Sequence, residues 1–265
     1  MVSDQFISQL GQGGTSFTTF PGTVSTFDPT SLSTQATSVA GASITTGSLV
    51  DGSDTRIRLR AMNGNDNKTQ VYGPENDSTN IQTILWETNG LLFPFSPTIT
   101  VTQSVDYSDV GTLVHSNSDF LAYRHTPSVT ITVAGDFSVQ NQREGVYALA
   151  VLQFLRTCSK MYFGDADKIS GKAGLPPPIL IFTGYGNYVF NNLPVILKSH
   201  SYTFDKAMNM ILITTAQGSA KLPALFNISM ELQVQQTPHA MRTVFSLDAF
   251  RTGKLMSATA DTGWI

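Results

Sequence analysis

Four histidines, His115, His125, His200 and His239, and a single cysteine, Cys158, are the side chains best suited to hold a metal or to act as base or nucleophile. Metal sites place such ligands a few residues apart in pairs, and none of the four histidines stands at that spacing from another or from Cys158. His200 falls in a strand-like segment, where a hydrogen-bonded structural histidine is expected. Asp106 and Asp109 flank Tyr107-Ser108 and come nearest to a paired-carboxylate arrangement. Glycosidase chemistry needs two carboxyls held across a cleft, which this pattern does not supply. Gly11-Gln12-Gly13-Gly14 lacks the preceding strand and following helix of a phosphate loop. Neither G-x-S-x-G nor H-E-x-x-H occurs. Asn67-Lys68-Thr69 and Asn227-Ile228-Ser229 match the glycosylation pattern, which has meaning only in a secreted chain. The expectation is a non-enzymatic protein with no catalytic residues, no cofactor and no metal.

The elements that would position any site are mostly strands. Ile99, Val101, Val105 and Tyr107 alternate with Thr100, Thr102, Ser104 and Asp106; Val129, Ile131 and Val133 alternate with Ser128, Thr130 and Thr132. Both segments read as half-buried strands with hydroxyl-bearing outer faces. Phe226, Ile228, Met230, Leu232 and Val234, opposite Asn227, Ser229, Glu231, Gln233 and Gln235, form the cleanest alternation in the chain. Further strands are expected at Ile179–Phe182, after Pro176-Pro177-Pro178, at Tyr188–Phe190, at Val195–Phe204 after a break at Asn191-Asn192-Leu193-Pro194, and at Met210–Thr214. Residues 63–80 read as a loop and 216–221 as a flexible link, and 241–265 show no clear period.

One long helix is expected over about 141–163. Asn141 is its N-cap, Glu144 can return a bond to the Asn141 backbone, and Tyr147, Val151, Phe154, Cys158 and Met161 share one apolar face. Lys160 would lie in the last turn and Gly164 would end it. Cys158 on that face reads as a buried small hydrophobe rather than a reactive thiol.

Composition narrows the function classes. Of 265 residues 41% are hydrophobic, enough for a core, whereas only 13% are charged, about half the usual ~25%. The polar surface is therefore Ser, Thr, Asn and Gln, which is easier to bury against a neighbour than Lys and Glu, and this points to multimeric assembly. A net charge of −3 gives no basic footprint for specific nucleic-acid binding. One cysteine excludes an internal disulfide and fits a reducing compartment. No apolar run approaches the ~20 residues of a membrane-spanning helix, and no secretory signal is evident at the N-terminus. Residues 1–55 contain no lysine or arginine and are Ser/Thr-rich, with isolated Phe17, Phe20 and Phe27. They read either as a polar tail or as an extended arm that orders against neighbouring subunits. Arg56, Arg58 and Arg60 alternate with Ile57 and Leu59 as a strand with one basic face, expected at a subunit or ring interface.

Three segments in order resemble a known family: Leu91–Ile99 (LLFPFSPTI) before a strand, the helix through Gly164 (ALAVLQFLRTCSKMYFG), and Pro176–Asn192 (PPPILIFTGYGNYVFNN) followed by Leu193-Pro194-Val195. Together they resemble the baseplate tube proteins of contractile-tailed bacteriophages, which cap the central hub and initiate the tail tube. The resemblance covers roughly Leu91 to Val234, with Phe93, Pro94, Tyr185, Gly186, Asn191, Asn192 and Pro194 as the motif positions. It implies a mainly β fold, a tail-tube-like β-sandwich or half-barrel with one flanking helix, residues 56–265, preceded by the arm of 1–55. It further implies a homo-oligomer, a hexameric ring in the virion tail baseplate assembled in the host bacterial cytoplasm. The implied neighbours are hub, wedge and tail tube proteins, and genomic DNA would pass through the channel without specific binding and without any membrane. The alternatives are the major tail tube protein itself and a β-sandwich receptor- or carbohydrate-binding module of the virion, which would expose tryptophan and tyrosine around a pocket.

Overall fold

Strict alternation of apolar and polar residues puts every apolar side chain of a strand on one face, and two central strands of this protein do so over nearly their whole length. In the computed structural model, which describes residues 55–111, 117, 120–165, 171–186, 188–206, 208–256 and 263–265, eleven strands are present among the described residues. All but the last residue of the expected arm, together with His115 and the Gly11–Gly14 run, lie outside them.

Seven strands form one antiparallel sheet in the order β2-β1-β7-β8-β11-β6-β3. These are β1 (Arg58–Ala61), β2 (Leu91–Leu92), β3 (Thr98–Thr102), β6 (Thr130–Ser138), β7 (Leu180–Gly184), β8 (Phe190–Phe204) and β11 (Leu225–Val234). Two hairpins stand apart, β4 (Asp106–Asp109) with β5 (Leu121–His125), and β9 (Met210–Thr215) with β10 (Gly218–Pro223). The protein is mainly β, with a large antiparallel sheet and few helices. Five α-helices are defined among the described residues: α1 (Asn65–Tyr72), α2 (Ile84–Thr88), α3 (Gln142–Cys158), α4 (Pro238–Thr243) and α5 (Leu247–Arg251). Among the described residues no helix is long and apolar enough to cross a membrane.

The one long helix among the described residues, α3, starts at the N-cap its sequence marks. Glu144 N–H donates to Asn141 Oδ1 at 2.9 Å. The Glu144 carboxylate returns a bond, but to Gln140 N–H, one residue earlier than expected, at 2.8 Å. At the other end α3 stops at Cys158, because Ser159 Oγ donates to the Arg156 carbonyl and Lys160 N–H to the Thr157 carbonyl, closing a tighter final turn. Lys160, Met161 and Gly164 therefore fall beyond the helix, and Arg156 is its last-turn cation. Met161 is 48% exposed and does not belong to the packing face. Val151, Phe154 and Cys158 are buried there, and half-buried Tyr147 packs at its margin.

The buried face of α3 shares one core with Ile131, Val133 and Phe137 of β6 and Phe226, Ile228, Met230 and Leu232 of β11. The β9–β10 hairpin closes one flank: Gly145 of α3 sits so close to Ile213 that a Cβ there would lie 2.5 Å from its side chain. Gln142 fixes the same contact through its amide, which donates to the Thr214 carbonyl and accepts from Thr214 N–H.

Several expectations change. Residues 63–80 contain α1, whose Val71 and Tyr72 are buried, instead of loop throughout. The expected link 216–221 is most of strand β10. β8 runs unbroken through Asn191-Asn192-Leu193-Pro194, with Pro194 paired to Ile181. The segment 99–107 divides into β3 and β4, and both are largely exposed rather than half-buried. Residues 238–256 carry α4, α5 and a turn of 3₁₀ helix.

Phe154 is fully buried and meets the Tyr72 ring at 5.9 Å between centroids. Phe154→Ala should lower the unfolding free energy in urea by about 3–5 kcal/mol; a loss below ~1 kcal/mol would mean that α3 does not carry this core.

Candidate assembly interface

The face of the sheet opposite α3 is polar and at least partly exposed over four strands among the described residues. Register places Thr98, Thr100 and Thr102 of β3 beside Ala134, Thr132 and Thr130 of β6. Asp136, Ala134, Thr132 and Thr130 then align with Asn227, Ser229, Glu231 and Gln233 of β11, and the first three of these with Thr203, Ser201 and Ser199 of β8. A bulge at Lys198 keeps the alternation of β8 in phase on both sides of it. Hydroxyl groups dominate this surface. Its charges are few and mostly matched: Lys198 Nζ lies 2.9 Å from Glu231 Oε1, and Asn227 Nδ2 donates to Asp136 Oδ1 at 2.8 Å.

The same four strands end on two open edges. Among the described residues β3 has a partner only on its β6 side. On the far side, the ladder between β7 and β8 ends at Val195, so Ile196–Phe204 is paired with β11 alone among the described residues. Because each neighbour in β3-β6-β11-β8 is antiparallel, the two open edges run in opposite directions. On the helix side these edges carry half-covered apolar groups. Val101 is 43% and Phe204 43% exposed. Tyr202 remains beside α3, its hydroxyl accepting from Arg156 Nη2 at 2.7 Å.

A second unpartnered surface is the β4–β5 hairpin. Tyr107 and Tyr123 meet edge to face at 6.0 Å, and Val110, Phe120 and Leu121 beside them are each at least 60% exposed. The sequence signals for this hairpin were its aromatic and aliphatic residues; the alternation expected of it implied burial that does not occur. Asp106 belongs to this hairpin and pairs with Arg124 at 3.2 Å and His125 at 3.5 Å, on an exposed strand rather than in a cleft. Among the described residues no three His, Cys, Asp or Glu side chains converge as a metal site.

The motif positions fall in two groups. Phe93, Pro94 and Tyr185 line a cleft of about 140 Å³ with Thr55, Arg56 and Ile57, and Tyr185 N–H donates to the Thr55 carbonyl at 2.8 Å. Tyr185 adopts a positive φ of 54°, and Gly186 follows at 87°. Asn192, also at positive φ, belongs to the second group: Arg60 Nη2 donates to its Oδ1 at 2.8 Å and Nη1 to Asn63 Oδ1 at 2.6 Å. Gly263 N–H donates to the Asn192 carbonyl, while Asn191 Nδ2 donates to the Met256 carbonyl at 3.3 Å. Pro194 is buried in β8.

The row of arginines does not form one exposed face. Arg58 and Arg60 are each 7% exposed within the subunit, and only Arg56 reaches the surface. Burial lowers the pKa of Arg60 from its usual value. Neither tryptophan is presented for binding: Trp86 is half-buried with Nε1 donating to the Gly73 carbonyl, and Trp264 is 6% exposed. Burial also raises the pKa of the Cys158 thiol, holding it as the neutral SH expected of a core residue.

The chain matches no protein-family model and no curated protein. Chemically, the arrangement offers backbone donors and acceptors on two edges, apolar side chains beside them, and a hydrated, nearly neutral face between.

Tyr147 links α3 to the strand leading into the Phe93-Pro94 segment. Its hydroxyl accepts from Leu92 N–H at 2.7 Å and donates to the Leu92 carbonyl at 2.9 Å. Burial pushes its phenol up to about 12, above the ~10 of an unfolded chain. This contribution to stability is full below pH ~10 and is lost as pH rises through the folded value. Melting temperature should fall between pH 10 and 12, and fall less in Tyr147→Phe; Tyr72, also raised by burial, sustains the remainder. Parallel curves for the two proteins would place the alkaline loss outside this contact.

Proposed function

We propose that this chain is a structural subunit of a contractile phage baseplate, forming a ring that joins the central hub to the tail tube and nucleates tube assembly around the DNA channel. The observation that carries this reading is the four-stranded hydroxyl face bounded by two open, oppositely directed edges. An unpaired edge is a template for another strand. β3 of one copy laid against Ile196–Phe204 of the next continues the antiparallel alternation, and a rotation repeated around an axis closes the sheet with no edge left. Val101 of one copy then comes beside Tyr202 and Phe204 of its neighbour, which gives those half-exposed groups a partner.

Six copies would contribute about 24 strands, and since barrels of 16–18 strands already enclose an aqueous channel, such a ring leaves a wide water-filled lumen. With α3 outside, the hydroxyl face lines that lumen. Ser, Thr, Asn and Gln, with Asp136, Glu231 and Lys198 as the charges, give phosphates no cation row to hold, so a duplex slides instead of sticking. The β4–β5 hairpin, projecting from the connection between β3 and β6, supplies apolar surface for an adjacent ring in the stack.

Solution mass and negative-stain imaging of the purified chain, alone and with candidate tube protein, test this. The expected result is a hexameric ring, formed alone or on adding the partner. Val101→Arg should leave the melting temperature within a few degrees of wild type and abolish the ring. A wild-type chain that stays monomeric under both conditions, or a variant that assembles as well as wild type, would overturn the reading.

A further inference from the structure

Beyond α3, the chain folds back to form an open cleft of about 320 Å³ between Gln70, Gln153, Arg156, Lys160, Met161 and Tyr162. Two cations, Arg156 and Lys160, line it, and a third, Lys172, lies against Tyr162. Arg156 lies over the Tyr202 ring at 5.4 Å, Lys172 Nζ lies 5.7 Å from the centre of the Tyr162 ring, and Lys160 is exposed at the helix end. Among the described residues none of the three is paired with a carboxylate. Their combined field reaches the sheet: Arg156 and Lys160 add to burial in holding the His200 imidazole below its usual pKa. Exposed apolar groups accompany it: Met161, 48% exposed, lines the cleft, and Phe163 (87%) and Leu175 (42%) neighbour Tyr162 in the chain and through its backbone bond. The floor is held in shape by Tyr162, whose N–H donates to the Leu175 carbonyl and whose own carbonyl accepts from Gly174 N–H.

We infer that this cleft is a docking site for an acidic, aromatic- or leucine-bearing segment of another protein. Unpaired cations beside exposed apolar groups select a segment that brings carboxylates and apolar side chains together, because each element then covers the other's cost of exposure. Nucleic acid fits less well. Three cations in a chain of net charge −3 give no extended basic track, and phosphates offer nothing to Phe163, Met161 and Leu175. The cleft lies on the α3 side of the sheet. If the ring is as proposed it faces outward, so the partner would be a protein surrounding the ring; the docking chemistry itself does not rest on the ring.

The test uses the full chain and a fluorescein-labelled peptide of alternating Glu, Leu and Phe, with a Gln-for-Glu counterpart and a labelled thymidine oligonucleotide of similar length. Fluorescence anisotropy at low salt should show binding of the acidic peptide and at least tenfold weaker binding of the other two. Lys160→Glu combined with Lys172→Glu should weaken acidic-peptide binding at least tenfold while leaving the melting temperature and the oligomeric mass unchanged. Both side chains are exposed, so folding does not depend on them. Equal binding by the Gln peptide, tighter binding by the oligonucleotide, or an undiminished affinity in the double variant would each overturn the inference. A monomeric chain that binds the acidic peptide as described would remove the ring and leave the docking site standing.

Discussion

The width of one helix sets the character of this protein. An α-helix with its side chains is about 10–12 Å across, whereas neighbouring strands are about 4.8 Å apart, so one helix roofs little more than two strands. α3 is the one long helix among the described residues, and it shares one core with β6 and β11, whose apolar faces are buried from end to end. On the strands to either side, β3 and the distal half of β8, cover is thinner, although Arg156 of α3 still reaches Tyr202 of β8. The outward backbone groups of those strands and the side chains of Val101 and Phe204 are left half-covered in the isolated subunit. Everything in the proposed assembly descends from that shortfall.

How much of this could be read from the sequence depended on whether local pattern or tertiary context decided each element. β6, β11 and α3 were legible because their alternation or capping is imposed by the core they pack on. α1 was not, since only Val71 and Tyr72 of its eight residues are buried, leaving no apolar period to detect. α4 and α5 carried legible signals that length concealed: Thr237 caps a helix opened by Pro238, and Ser246 caps the next, yet each helix is too short for periodicity. β8 defied its proline because Pro194 sits where the ladder to β7 is about to end, so little hydrogen bonding is forfeited.

Within the candidate interface, the hydroxyl faces were visible as alternation, whereas the edges were not, because an edge is a property of sheet order. The arginine row was misleading for a related reason. Alternating charge ordinarily marks a solvated face, but β1 is an inner strand between β2 and β7, and Arg60 is drawn into hydrogen bonds with Asn63 and Asn192. Asn192, 132 residues away in the chain, is a partner that spacing alone does not reveal.

Open edges are hazardous, and both edges here carry brakes. Pro97 immediately precedes β3, and the bulge at Lys198 places a charged side chain at the start of the open stretch of β8. Lysine, proline and bulges are the devices by which soluble proteins keep edge strands from pairing indiscriminately. Their presence on edges that are otherwise flanked by apolar groups argues for pairing that is conditional instead of spontaneous. A subunit braked in this way gains most when a neighbour already holds the partner strand in register, which is the situation at a pre-formed hub. Under the proposed assembly, such a subunit would remain dispersed until it meets a template, and its low-charge hydroxyl face would keep it hydrated meanwhile without creating a surface that grips a nucleic acid passing across it.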